Sequence, residues 1–563
     1  MIGRIYNMLR NAIGMGDAHT GIGDVTRRLR IRRAYTDKPS WHWKETRFQR
    51  MELGLGMRMN PHVVIVGESG SGKSNACKIM VREMASKGAR VAILDPHNEY
   101  LGIAESIGAE VYDAAYNGIN IFELDGVSEK ERANELTNMF KRIFRLGEVQ
   151  GYELYRCIMF TYTRMGNLGR VPNIHDLLYT MNIFKKHAGT AETRILDGLS
   201  RRLSLIDTGA FSRSTEMERV MSGNSIFLLS GLHTNESQSV YIEGFLRKVY
   251  SRMLSSERKE GERLYIVIDE AEKLGQKSVA GRIAAEGRKY GIGIVAMAQR
   301  AKSVESEIRT NASLFISFYQ REPEELNYLA NLIAGGNELN RFAEVKKAIR
   351  SLGRGSAVVM DSAERNPFIA RFDKSVGEKA CISYEIIKLS RHGRPLAEIR
   401  EEIGKTGLRR IEVDRKLDEM VKNDTISRYD VECWSRYDGP WYISMRRNSA
   451  EHDVCVEVIR RHLEHIGIKC SVYNSSYGPD LIAVSDGKRI AVEYETGMKR
   501  IESTQEMITK RGVLYAHVLV IVNNGKVDEY SSIKGATIIS ISGFLNESSA
   551  QNLIQGDATA LRP

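Results

Sequence analysis

The chain is poor in cysteine and has none in pairs: Cys77, Cys157, Cys381, Cys433, Cys455 and Cys470 stand singly among 563 residues. Without a CxxC pair neither zinc nor dithiol redox chemistry is indicated, and the thiols read as buried or incidental. Long apolar runs are missing too. The longest, Val513 to Val522 and broken only by His517, falls well short of the roughly 20 residues that a membrane-spanning helix requires. The opening MIGRIYNMLRNAIG has neither the continuous apolar centre nor the small-residue cleavage site of a signal peptide. The expected location is therefore cytoplasmic, free or peripheral at the inner face of the membrane. Internal repeats and low-complexity tracts are absent as well.

What is present is an ordinary soluble composition, 42% apolar and 27% charged, in a chain long enough for roughly three or four domains. The net charge of +11 favours a polyanionic partner. Much of the excess lies before residue 61, where Arg27, Arg28, Arg30, Arg32 and Arg33 precede Trp41 and Trp43. This basic N-terminal extension, residues 1–60, reads either as an arm on nucleic acid or an acidic membrane surface, or as a segment packing on a neighbouring subunit.

From residue 61 to 375, the apolar runs HVVIVG, ARVAILD, SIFLLS, RLYIVID, GIGIVAMA and SLFISF alternate with amphipathic helical stretches, and a helix-rich insertion spans about 128–222. Alternation of this kind predicts an α/β fold with a parallel sheet covered by helices. A second pattern fills 379–447: three helical stretches, CISYEIIKLSRHG, PLAEIREEIG and RRIEVDRKLDEMVKN, precede the short strands TISRYDV and PWYISM. That is the layout of a winged helix. A third unit, 449–563, opens with the helix EHDVCVEVIRRHLEHIG and continues with strands on either side of the turn dipeptide Asp486-Gly487.

The chemistry is carried by Gly67-Glu68-Ser69-Gly70-Ser71-Gly72-Lys73-Ser74, followed by Asn75, which satisfies GxxxxGK[ST] between a strand and a helix. Glycines let the loop bring backbone N–H groups to phosphate oxygens, and the helix N-terminus adds its positive end. Lys73 is expected to reach the β- and γ-phosphates of ATP, and Ser74 to ligate Mg2+. Downstream, the strand LYIVI ends in Asp269 and Glu270, placed to hold the metal's hydration shell and to orient the attacking water. A solvated acidic turn is the plainer alternative. At the tip of the next strand Gln299 is positioned to sense the γ-phosphate, and Arg288 in GRKYG offers a guanidinium near a subunit edge.

Together these segments resemble the HerA/FtsK superfamily of hexameric DNA-pumping ATPases. GESGSGKSNACKIM followed by VAILDPHNEY looks like the HerA pattern, and IVIDEAEKL with GRKYGIGIVAMAQR is similar to its acidic motif, arginine-bearing helix end and sensor glutamine. The stretch IRTNASLFISFYQREPEELNYL resembles the last core strand, with Arg321 a further candidate for inter-subunit contact. The resemblance implies a RecA-like core, ATP and Mg2+ as cofactors, DNA as partner, a homo-hexamer, and Arg288 completing the neighbouring subunit's site. The insertion also looks like those of conjugation and type IV secretion ATPases, which leaves a macromolecule-transfer motor or an ATP-dependent assembly switch as alternatives, with nuclease, recombination or secretion-machine components as further partners. The C-terminal unit resembles the PD-(D/E)xK restriction-endonuclease-like fold. The resemblance implies a second Mg2+ or Mn2+ among Glu457, Asp480, Glu493 and Glu495, with Lys510 reaching in because Glu495 replaces the usual lysine.

Overall fold

The apolar runs of the sequence become neighbours in one sheet. They are seen in a computed structural model that describes residues 22–32, 40–51, 53, 60–211, 217–255, 263–335, 339–374, 381–423, 425–432, 435–444, 449–472, 478–485, 487–498, 501–546, 550 and 553–554. Arg33, Cys433, Asp486, Lys499 and Arg500 lie outside the described residues. Two compact units are present, residues 1–381 and residues 382–563.

In the first unit the strands are β1 (Gly23–Arg32), β2 (Ser40–Met51), β3 (His62–Val66), β4 (Arg90–Asp95), β5 (Ala109–Asp113), β6 (Asn224–Leu228), β7 (Leu264–Ile268), β8 (Ile292–Ala298), β9 (Ala312–Ser317), β10 (Ser356–Asp361) and β11 (Phe368–Phe372). Their order is β2-β1-β11-β10-β9-β3-β8-β7-β4-β6-β5. From β9 to β5 every pairing is parallel, and from β9 outward to β2 every pairing is antiparallel. The strand β3 sits between β8 and β9 and is buried along its whole length. Helices cover both faces there, so HVVIV shows no alternation of polar and apolar residues. The α/β class expected from the sequence holds.

The stretch before residue 61 contributes more than an extension, because it supplies β1 and β2 to the main sheet. Leu29 pairs with Trp43, and Ile31 with Trp41. The Trp43 indole donates to the Glu344 carbonyl at 3.2 Å, and the Arg341 guanidinium lies 4.7 Å over the Trp41 ring. Both partners belong to the chain's own helix Leu339–Arg350, so the described part of this stretch packs on its own chain.

The insertion folds as the helices Glu129–Phe144, Glu148–Gly166, Ile174–His187 and Thr190–Leu203, with a short Met217–Ser222 after them. Ser128 and Glu131 close a capping box at the first, satisfying N–H groups that a helix start leaves free. Leu136, Phe140, Leu154, Ile158, Leu177 and Leu199 are buried in the same core as the sheet.

In the second unit, helices Ile382–Leu389, Leu396–Gly404 and Arg410–Lys422 accompany a small antiparallel sheet of β12 (Arg394–Pro395), β14 (Gly439–Ile443) and β13 (Ser427–Val431). A five-stranded sheet follows, in the order β15 (Lys469–Val472), β16 (Leu481–Ser485), β17 (Lys488–Glu495), β18 (His517–Val522) and β19 (Thr537–Ser540). Val431, Trp441 and Ile443 of the small sheet share one core with Val454 and Ile459 of the helix Ala450–His465 and with Leu481 and Tyr494. Segments read separately as 379–447 and 449–563 are thus continuous in packing.

Candidate nucleotide-binding site

Open parallel sheets place their ligand sites at the carboxyl ends of the strands, and the candidate residues gather there. β3 leads into the glycine loop, and the helix Lys73–Ser86 begins at its end. Gly67, Gly70 and Gly72 have φ of +155°, +76° and +115°, a region side chains strongly disfavour. A Cβ at Gly67 would lie 2.6 Å from Phe318 Cβ, so the loop can hug β9 only with glycine there. The Ser71 hydroxyl donates to the Glu68 carbonyl at 2.7 Å and tightens the curve.

The loop opens on a cleft of about 340 Å³. Ser69, Gly70, Gly72, Lys73, Ser74 and Asn75 line one side, Asp269, Glu270, Ala298 and Gln299 the other. Lys73 Nζ donates to the carbonyls of Gly67 at 2.7 Å and Glu68 at 3.1 Å, and burial lowers its pKa. Asn75 also donates 2.8 Å to the Asp373 carbonyl, tying the helix start to the end of β11.

Asp269 is buried at the tip of β7, and its pKa is pushed up to about 7 by burial, with the charges of Asp95 and Glu99 adding to it. Asp95 ends β4 and accepts from the backbone N–H of His97, Glu99 and Tyr100, which folds the Asp-Pro-His-Asn-Glu-Tyr turn against the cleft. A divalent cation fits this crowded acidic end, where it would relieve like-charge repulsion. Among the described residues no three His, Cys, Asp or Glu side chains form a metal cage, so Mg2+ would lean on the Ser74 hydroxyl, Asp269, water and the nucleotide's own phosphates. Once bound, it withdraws charge from the phosphoryl group.

Glu270 has a left-handed backbone, φ +57°. Its carboxylate is held by His97 Nε2 at 2.8 Å and by Lys273 Nζ at 2.6 Å. Burial acts to raise its pKa, but these two partners outweigh it and keep the group below its usual value. Gln299 sits at the exposed tip of β8, its carbonyl fixed by the Gln320 amide at 2.6 Å. Arg288 lies on the turn Gly287–Tyr290, exposed and with no side-chain partner among the described residues. Arg321 is tied to its own chain: its N–H donates to Glu68 Oε1 at 2.8 Å, and its guanidinium stands 3.4 Å from Glu68 Oε2. Its side chain remains largely exposed beside that contact.

Four further residues line the cleft, His97, Glu99, Glu272 and Arg354. The first two belong to the turn already singled out in the sequence. Glu272 keeps Oε2 buried without a partner, and burial raises its pKa. For Arg354 the sequence offers only its flanking glycines, Gly353 and Gly355.

The second candidate site does not assemble. Glu493 accepts from Arg511 Nε at 2.9 Å, Asp480 accepts from the Tyr494 N–H at 2.9 Å and faces His452 Nε2 at 3.3 Å, and Glu457 turns to Arg460 and Arg461. Arg511 also donates to the Gly478 carbonyl. Lys510 points outward to Glu506, so the cation that reaches in is Arg511. Each carboxylate named here already has a basic side chain or backbone donor, and among the described residues Glu457, Asp480, Glu493 and Glu495 do not gather into a group that could hold a metal, unlike the expected cluster. Glu495 is buried on β17. Burial lowers the His452 pKa, but Asp453 and Asp480 more than offset it and raise the group to about 10.

Residues 46–249 match the family model described as the central domain of the helicase HerA. The DNA double-strand break repair helicase HerA of Sulfurisphaera tokodaii is 25% identical over 336 residues, covering 57% of this chain and 66% of that protein. The same-named protein of Sulfolobus acidocaldarius is 23% identical over 360 residues, covering 57% and 67%. The matched region is thus about two thirds of these relatives' length. Among solved structures, VirB4 of Thermoanaerobacter pseudethanolicus superposes with a TM-score of 0.48 at 16% identity, covering 64% of this chain and 98% of that one. The bacterial conjugative coupling protein TrwB gives 0.45 at 14%, covering 57% and 88%. The likeness to HerA helicases read from the motifs is present in the sequence matches.

Proposed function

We propose that this chain is an ATP hydrolase that uses the nucleotide cleft to drive movement along duplex DNA, working as a ring in which each site is completed by the next subunit. The observation that carries the reading is the convergence of Lys73, Ser74, Asp269, Glu270 and Gln299 on one cleft at the ends of β3, β7 and β8, in a chain whose matched relatives are named as HerA helicases. Glu270 lies where a carboxylate can order water against a phosphoryl group, and Lys73 where an ammonium can neutralise it. Arg288, exposed at a helix end, supplies the arginine to the neighbouring site. DNA is held by phosphate contacts, which give binding without sequence preference and with steep salt dependence. The second unit serves this motor by binding DNA: its three helices and small sheet act as a winged helix, and its larger sheet as a nuclease-like domain that tethers without cutting.

ATP hydrolysis measured with and without duplex DNA tests the proposal. Wild type should hydrolyse ATP faster with DNA, Lys73→Ala should not bind nucleotide, and Glu270→Gln should bind ATP and stall. Equal rates in wild type and Glu270→Gln would remove Glu270 from its role.

A further inference from the structure

We propose that Arg354 is a phosphate-binding residue of the cleft, acting within its own chain on the α- and β-phosphates of the nucleotide. The inference rests on the ATP-site reading and adds a residue to it. Arg354 lies in the short loop between the helix Leu339–Arg350 and β10. That loop is fastened to the glycine loop from below. The Gly355 N–H donates to the Ser71 carbonyl at 2.9 Å, its carbonyl accepts from the Phe372 N–H at 2.9 Å, and the Ser356 N–H closes a turn on Gly353 at 3.1 Å. A Cβ on Gly72 would stand 3.1 Å from Gly355 Cα, so the two backbones approach as closely as glycine allows. Gly355 itself has φ +80°, a further sign that this turn is shaped for that approach.

The guanidinium carried by this clamped loop is exposed, lines the cleft, and has no hydrogen bond or ion pair among the described residues. Arg321, near the same loop, is held by Glu68, and Arg511 by Glu493. The cleft is also short of positive charge. Glu99, Asp269, Glu270 and Glu272 line it against Lys73, His97 and Arg354, and His97 is already engaged with Glu270. A triphosphate entering such a site needs a second fixed cation, and the planar fork of arginine matches phosphate oxygens in pairs.

Position selects which phosphates. The backbone of a glycine loop cradles the α- and β-phosphates, and its lysine reaches toward the γ. Arg354 lines the cleft next to Gly355, whose backbone is fastened to Ser71 and Gly72 of the glycine loop, whereas Asp269, Glu270 and Gln299 occupy the strand tips. It therefore contacts ATP and ADP alike, and it differs from Arg288 in serving its own subunit.

The test measures binding of fluorescent ATP and ADP analogues to the full-length protein with magnesium, for wild type, Lys73→Ala, Arg354→Ala and Arg354→Lys. Arg354→Ala should lose about 10- to 100-fold in affinity for both nucleotides, as expected for a lost charge-assisted hydrogen bond, and Arg354→Lys should recover part of it. The melting temperature without nucleotide should not move, because the side chain holds nothing in the fold. Mixing Arg354→Ala with Glu270→Gln chains should restore no hydrolysis, since either chain's own site remains incomplete. Loss for ATP alone, unchanged affinity while Lys73→Ala abolishes binding, or rescue on mixing would overturn the proposal. A wild type that binds neither nucleotide would overturn the ATP-site reading itself.

Discussion

Asp269 shows what the site costs the fold. In the folded chain its carboxyl keeps a proton up to about pH 7, whereas its ordinary value is 3.8. The folded state thus binds the proton more tightly, so stability falls as pH rises from about 4 to about 7, and the full cost is borne above that. Asp269→Asn removes the charge and leaves the shape. It should raise the melting temperature of the nucleotide-free protein at pH 8 by a few degrees, with the gain vanishing toward pH 4, while hydrolysis is lost. No gain at pH 8 would mean that the acidic end is not crowded enough to matter. Beside it, the backbone of Glu270 is left-handed and its carboxylate is gripped from two sides by His97 and Lys273. The bond from His97 raises the imidazole's pKa, so Glu270 stays paired with a charged partner to higher pH than an isolated histidine would allow.

The glycine loop and the helix Ile501–Gly512 each turn on which side chain the backbone can accommodate. Gly72→Ala puts a methyl group 3.1 Å from Gly355 Cα at φ +115°. It should lower nucleotide affinity at least tenfold while circular dichroism stays as in wild type, and an unchanged affinity would show that the loop yields. In the second unit Arg511→Ala takes the guanidinium away from the buried Glu493 carboxylate, which should cost about 3–5 kcal/mol of that unit's stability, read as an earlier thermal transition. Purified protein in manganese should not cut linear DNA, and Asp480→Ala should behave the same. The sequence made the glycine loop, the paired acids and Gln299 legible because each is a local pattern at a strand end. It did not separate Lys510 from Arg511, since adjacent helix residues point about 100° apart and only the packed helix shows which faces inward. Nor did it reveal β1 and β2, because β1 is joined to the main sheet through β11, which lies far along the chain. Arg354 was hidden for the same reason, because a loop hundreds of residues away meets the glycine loop only after folding.

At the scale of the whole molecule two properties are expected. The first concerns assembly: in rings mixed from Arg288→Ala and Glu270→Gln chains, some interfaces pair an intact acid with an intact arginine, so hydrolysis should partly return. No return at any ratio, with assembly confirmed, would mean that Arg288 does not complete the neighbouring site. The second concerns the product of hydrolysis. Among the described residues no helix is long and apolar enough to cross a membrane, and the net charge of +11 suits a polyanion. The most direct measurement is displacement of a third strand from a duplex by the full-length protein with ATP. Displacement should require ATP hydrolysis, be lost in Lys73→Ala and in Glu270→Gln, and weaken steeply with salt. Hydrolysis stimulated by DNA but with the third strand left in place would contradict the claim that this chain moves along DNA.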